Sequence, residues 1–394
     1  MNRSRYTRTY MRKELWMRGF KGVVGILLLL ATSLTGQITT LNNLEIHGFL
    51  TQSYGRSSNY TIFGIPVGGT TDLRSLALQF QHQTTASISA TVQFSHFRLA
   101  NSPGNDAHEP LELDWAFIQY RLNEHFQIRL GKVLLPFGIY NEIQDVGALL
   151  PFFRPPYIPY SEGRYLSETL SGATALISFE LLGRANELEV YTGEWSWQEW
   201  FLYPAPFGSE AVSISGDPKI DKSLGGRYWF FPGPEGFRLG GSFQQGDVAG
   251  GLAFVEGEYN PQTFRLANIA VDVDRERFML RGESNYFTFR PTGLRSYGSY
   301  AQAGIRVREK FWVNTQGQFF NVRNMPVKNS TRRRESNVLK ELAASAVFHL
   351  SPNLSIKGEH HWVWSKLTES YYPIYWNKSP AYNRYWVISF SNHF

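Results

Sequence analysis

Cysteine is absent from the 394 residues, which excludes disulfide staples, thiolate metal sites and a lipidated cysteine behind a leader. No apolar run approaches the roughly 20 residues that a membrane-crossing helix needs. The run from Val23 to Ala31 is far too short. No Ser/His/Asp grouping, Gly-rich phosphate loop, P-loop or His-x-x-x-His pair is present, so an enzymatic activity, a metal and a cofactor all lack a motif, and none of them is expected. Acids are nearly missing from the first 21 residues, where Glu14 stands against Arg3, Arg5, Arg8, Arg12, Lys13, Arg18 and Lys21.

That basic stretch, the apolar run behind it and the small residues Ala31, Ser33 and Gly36 read as a signal peptide, residues 1–36, cleaved after Ser33 or Gly36. Met11 and Met17 are alternative starts to Met1 that would shorten the basic region to an ordinary length. Removing residues 1–36 takes seven of the 39 Lys and Arg and one of the 33 Asp and Glu, leaving 32 of each. The mature chain, residues 37–394 as a single domain, is therefore near neutral, and a nucleic-acid partner argued from charge is excluded.

Aromatic residues make up 15% of the chain, yet its mean hydropathy is −0.30. A soluble domain of this size buries Leu, Ile and Val. A transmembrane β-barrel instead places aromatics in two interfacial girdles and polar side chains in its lumen. Segments with a period of two recur from Leu44 to Phe394 and predict strands at 44–54, 73–83, 86–98, 111–121, 126–133, 169–180, 186–196, 221–231, 237–247, 264–273, 276–289, 298–307, 311–321, 338–350, 353–364 and 385–394. The clearest is Ser87 to Arg98, where Ile88, Ala90, Val92 and Phe94 alternate with Ser89, Thr91, Gln93 and Ser95.

Connections at 123–125, 232–236, 308–310 and 351–353 are short and those between them long, which fits periplasmic turns, outer loops and both termini on the periplasmic side. The fold class is all-β: a transmembrane antiparallel β-barrel of sixteen strands. Fourteen or eighteen remain as alternatives, because 250–259 reads either as strand or as loop. In the closing strand Trp386, Ile388 and Phe390 alternate with Val387, Ser389 and Ser391, and Phe394 is the expected closure residue, an aromatic anchor at the interface.

The connection over 134–168 is about 35 residues long, a length that usually marks function. Pro136 cannot donate to a sheet ladder and Gly138 permits a bend, so together they end a strand and turn the chain, while Pro151, Pro155, Pro156 and Pro159 stiffen the remainder of the connection. The segment is either a constriction folded into the pore or an outward flap; its length favours the former. The candidate constriction residues are Arg154 and Arg164, with Glu142, Asp145 and Glu162 of opposite sign, because facing charges at a narrow point set ion preference. By strand phase the lumen is lined by Arg129, Arg281 and Lys357 beside Glu112, Asp114, Glu187, Glu189, Glu283 and Glu359.

Leu130-Gly131-Lys132 followed by Pro136-Phe137-Gly138 resembles the strand-then-loop signature of the phosphate-selective porin family and related small-solute outer-membrane porins. The resemblance covers that motif and the general layout. It implies a sixteen-stranded, often trimeric barrel in the bacterial outer membrane, whose long third outer loop folds inward to narrow a water-filled channel for passive diffusion of small hydrophilic or ionic solutes. It also implies that the barrel assembly machinery reads the terminal aromatic. Other expected partners are outer-membrane lipid and lipopolysaccharide. The phosphate-selective members line their lumen with runs of Arg and Lys, and this chain departs from that with mixed charges.

Arg332-Arg333-Arg334 is expected in a solvated outer loop or against lipid phosphates. Trp195, Trp197, Trp200, Trp362, Trp364 and Trp376 are expected in a membrane girdle, and His360 and His361 on opposite faces of a strand as ordinary surface residues. The competing reading is an outer-membrane binding or adhesion barrel that displays the aromatic loops 197–220 and 366–384 and does not conduct.

Overall fold

Alternation of apolar and polar side chains becomes, in the computed structural model, one closed antiparallel sheet. The structure describes residues 43–102, 110–160, 166–196, 199–204, 211–216, 219–249, 262–290, 293–327, 330–366 and 381–394. The expected signal segment and the 250–259 ambiguity lie outside them. The strands run β1 (Leu44–Ser57), β2 (Thr70–Gln83), β3 (Ile88–Leu99), β4 (Glu112–Arg121), β5 (Phe126–Leu134), β6 (Thr169–Leu181), β7 (Arg184–Ser196), β8 (Glu199–Pro204) and β9 (Ala211–Gly216). They continue as β10 (Lys219–Phe230), β11 (Phe237–Ala249), β12 (Gln262–Asp274), β13 (Phe278–Arg290), β14 (Arg295–Arg308), β15 (Phe311–Val327), β16 (Ser330–Ser351), β17 (Leu354–Ser365) and β18 (Ala381–His393).

Sixteen strands form the barrel, in sequence order, with β10 pairing β7 and β18 closing onto β1; β8 and β9 form a separate two-stranded hairpin. That hairpin falls in the stretch expected to be an aromatic loop, and its six-residue strands carry no run of period-two alternation long enough to announce them. The strands β15 and β16 also extend past their expected ends, so Arg332 to Arg334 belong to β16 and not to a loop; pairings such as Pro326 with Arg333 continue the hairpin.

Residues 40–393 make up one compact unit, and of the other, 1–39 with Phe394, only Phe394 is described. The seam is closed by backbone pairing of β1 with β18, from Phe49 opposite His393 to Ser57 opposite Tyr385. Phe394 follows the last paired residue, His393, and is exposed.

The faces are inverted relative to a water-soluble protein. Ile269 is 69% and Ile305 58% exposed on the outside, while Asn268, next to Ile269 in sequence, and Gln302 are buried inside. Such a surface suits hydrocarbon, since a closed barrel satisfies every ladder hydrogen bond and leaves no edge in lipid. At the end where β1 begins and β18 ends every connection is short, while the long connections all lie at the other end, together with the short ones at 291–294 and 328–329. The interior is not simply polar. One buried cluster joins Leu135, Phe137 and Tyr140 to Tyr191, Trp229, Phe264 and Phe287, and a second joins Phe63, Leu73, Tyr157, Phe320 and Tyr385. Trp195 belongs to the first, 6.3 Å from Phe264, and is therefore a lumenal packing residue and not part of a membrane girdle. Trp362 and Trp364 do face outward, with Trp364 5.0 Å from Tyr382.

Candidate functional site

The connection between β5 and β6 meets inward-pointing side chains from one wall of the barrel to the other. Pro136-Phe137-Gly138 starts the crossing. Gly138 has φ 57°, and a Cβ there would collide with the Tyr160 hydroxyl and the Glu283 carboxylate, so the turn requires glycine twice over. Next to it the Ile139 N–H donates to Glu283 Oε1 (3.0 Å), and the Tyr160 hydroxyl donates to Glu283 Oε2 (2.6 Å). The Tyr140 hydroxyl donates to Gln302. On β10, Arg227 donates to Glu142 (2.6 Å), to Glu189 of β7 and to the Gly138 carbonyl oxygen (3.2 Å).

Further along, Ser75 Oγ donates to the Asp145 carbonyl oxygen (3.0 Å). The Lys357 ammonium, fully buried, donates to the carbonyl oxygens of Gly147, Leu150 (3.1 Å) and Phe152 (3.2 Å). Ser345 Oγ donates to the Pro151 carbonyl (2.6 Å), the Phe153 N–H to Glu359 Oε2 (2.8 Å) and the Tyr157 N–H to Gln318 Oε1 (2.8 Å). The segment thus spends its backbone polar groups on wall side chains, as a buried irregular segment must.

Arg154 lies in this segment with its guanidinium 3.9 Å from the Phe63 ring centre, a cation–π geometry. With Ser75, Gln144, Asp145, Phe97 and Tyr160 it lines a cavity of about 50 Å³, room for only a few waters. Glu162 and Arg164 lie outside the described residues. The other expected lumen residues face inward but serve different ends. Arg129 donates to Gln119 (2.9 Å), and Arg281 pairs with Asp272 (3.0 Å) and Asp274 (2.7 Å) near the short-turn end, where Arg238 also binds Asp272 (2.8 Å). Glu112 stands opposite Ser95, and Asp114 accepts from Gln93 (2.8 Å). Glu283, Lys357 and Glu359 hold the crossing segment.

Asp114, Asp145 and Glu168 bring carboxylate oxygens within 4.8 Å of one another, an oxygen donor set of the kind hard cations use. Burial, then the neighbouring Asp145 and Asp114, pushes the Glu168 carboxyl well above the usual carboxylate range, so the cluster also suits a shared proton.

Arg227 escaped strand-phase counting because β10 carries a bulge between Asp221 and Leu224 that reverses the faces beyond it. His361 is not a surface residue. It is buried in the lumen, bonded to Glu341, 3.7 Å from Glu359 and stacked at 4.2 Å on Tyr385, while His360 faces outward beside Trp362. Its inward phase was readable; its partner on the neighbouring strand was not.

No family model matches the chain. An uncharacterized protein of Aquifex aeolicus is 26% identical over 207 residues, which are 50% of this chain and 42% of that protein, so the match spans less than half of the relative's length. Among solved structures, OmpF of Salmonella typhi, determined with daunomycin, has a TM-score of 0.58 at 10% identity over 90% of this chain and 98% of that one. The outer-membrane-expressed OmpT of Vibrio cholerae scores 0.54 at 7% identity, covering 91% and 100%. The trimer form of the same OmpT scores 0.52 at 8% identity, covering 89% and 99%. At such identities the likeness concerns the fold alone, a closed antiparallel β-barrel like those of OmpF and OmpT.

Proposed function

We propose that the chain is an outer-membrane porin, exported by removal of residues 1–36, that passes small hydrophilic or ionic solutes by passive diffusion through a lumen narrowed by the 134–168 segment. The reading is one of transport and not of catalysis. The observation that carries it is the seating of that segment on charged wall residues, Arg227, Glu283, Lys357 and Glu359, in a barrel whose short-turn half keeps partly exposed charges at Arg129, Arg238 and Asp274. Arg154, within the segment, contributes anion preference, moderated by Glu142 and Asp145. A homotrimer is part of the proposal, supported by the trimer form of the OmpT barrel that shares the fold.

The two apolar clusters favour a second reading, a plugged barrel that displays its outer loops for binding or adhesion. Single-channel recording in planar bilayers separates the two. The porin reading expects small ion-selective steps from the wild-type chain and a reversal potential in a salt gradient that moves toward cations in Arg154→Ala. Steps seen only after residues 144–160 are replaced by a short Gly/Ser linker would establish the plug.

A further inference from the structure

A second connection turns inward. Residues 58–69 join β1 to β2 at the end with the long connections, and within them Ile62, Phe63 and Ile65 are 0%, 2% and 2% exposed in the second apolar cluster. Polar groups sew this stretch to the barrel rim. The Ser58 N–H donates to the Arg384 carbonyl oxygen (2.8 Å), the Asn59 N–H to Asn383 Oδ1 (2.9 Å) and the Tyr60 hydroxyl to the Ala381 carbonyl oxygen (2.8 Å), all on β18. Past the end of β3, the Asn101 N–H donates to the Gly64 carbonyl oxygen (3.0 Å). At the tip, Ile62 and Ile65 exchange backbone hydrogen bonds of 3.1 and 2.9 Å around Phe63 and Gly64, whose φ values are 50° and 75°. Two-residue turns with both centres left-handed favour Asn-Gly or Gly-Gly, and a bulky ring at the first centre is held there at a cost in backbone energy.

What the strained position secures is a contact. The Phe63 ring centre lies 3.9 Å from the Arg154 guanidinium, 5.5 Å from the Tyr157 ring and 5.9 Å from the Tyr385 ring. A guanidinium covered by a ring is held electrostatically and is closed to solute on that face. Backbone strain kept at a buried contact points to function. The tip also belongs to no strand of the barrel. β1 pairs with β18 only as far as Ser57 and with β2 only as far as Gly55, so moving residues 62–65 breaks no ladder hydrogen bond. We infer that residues 58–69 form a lid whose Phe63 ring caps Arg154, and that small anions pair with this guanidinium by displacing the ring. The solute in this inference rests on the porin reading; the cap does not. With the lid closed the charge still acts at a distance, so Arg154→Ala keeps its effect on reversal potential, while direct pairing requires the ring to leave.

The test reads Arg154 itself. Folded barrels in non-ionic detergent are treated with phenylglyoxal, which modifies accessible guanidinium groups, and the Arg154 peptide is followed by mass spectrometry. Phe63→Asn removes the ring and installs the residue that this turn prefers, so the tip keeps its shape while the cap is lost. Modification of Arg154 should then be about tenfold faster than in the wild type, as expected for losing a desolvated cation–π contact, with heat-modifiable mobility unchanged. Phe63→Tyr, which keeps a ring, should be as slow as the wild type. Equal rates in the wild type and Phe63→Asn would overturn the inference, and so would equal acceleration in Phe63→Tyr. In planar bilayers under a salt gradient, Phe63→Asn should move the reversal potential toward anions, and the double variant with Arg154→Ala should not. A shift of the same size in the double variant would overturn the role given to Arg154. Channels absent from every variant, with the modification rates as expected, would refute the porin reading and uphold the lid.

Discussion

Lys357 on the barrel wall donates to the carbonyl oxygen of Gly147 in the crossing segment, and the same ammonium also serves Leu150 and Phe152. One side chain thus gathers three carbonyls that have turned away from any ladder. Lys357→Met should free them together. Each buried carbonyl left without a donor costs about 1–3 kcal/mol, so residues 144–156 should leave their seat while the strand ladder holds. Limited proteolysis should cut that stretch in the variant, with the heat-modifiable barrel band unchanged.

Arg227 offers a contrast, because removing it strands a charge. Arg227→Ala leaves Glu189 buried beside Glu142 with no cation between them, a loss of about 3–5 kcal/mol for a broken buried pair. The triple change Arg227→Met, Glu189→Gln, Glu142→Gln should recover most of that loss. Thermal unfolding in detergent measures both, and equal midpoints for the single and triple variants would refute the assignment.

Gly138 and Gly183 share a left-handed backbone, φ 57° and 69°, but only the first is crowded. Alanine at either should cost about 1–2 kcal/mol from backbone strain. At Gly138 the collision with Tyr160 and Glu283 adds to this, so Gly138→Ala should lower the unfolding midpoint more than Gly183→Ala and should loosen the segment, raising conductance if the pore reading holds.

The Glu168 carboxyl, pushed well above the usual carboxylate range by burial and then by Asp145 and Asp114, sets a pH dependence with a definite sign. Its folded value lies above its unfolded one, so the folded state binds the extra proton. Stability is then full below the ordinary glutamate value, about 4.3, and falls as pH rises from there through the raised folded value. The midpoint should decrease as pH rises above the ordinary glutamate value, and Glu168→Gln should flatten the curve. A midpoint that rises over that range would refute the placement.

The barrel was legible because its signal is local. Residues two apart share a face, and Ile88 to Phe94 or Leu342 to Phe348 display the lipid side without reference to any other strand. Which side chains seat the 134–168 segment was not legible, because the partners are remote: Ile139 meets Glu283, 144 positions away, and Phe153 meets Glu359, 206 away. Leu135, Phe137 and Tyr140 sit in a proline-punctuated stretch with no period to reveal that they form a core. Arg227 was hidden by the β10 bulge, and Glu341 by needing His361 on another strand to explain its burial.

The seam between the first and last strands has a consequence for how the molecule is made. Thr51 and Ser391 share a hydrogen bond across it at 3.1 Å, and Gly147 fits against both hydroxyls from inside, too closely to admit a side chain. A chain whose ends have not yet met has no such seat. Docking of a segment from the first half of the sequence therefore waits for the final strand to arrive, and the slowest step in maturation should be one event that zips the wall and fills its interior together.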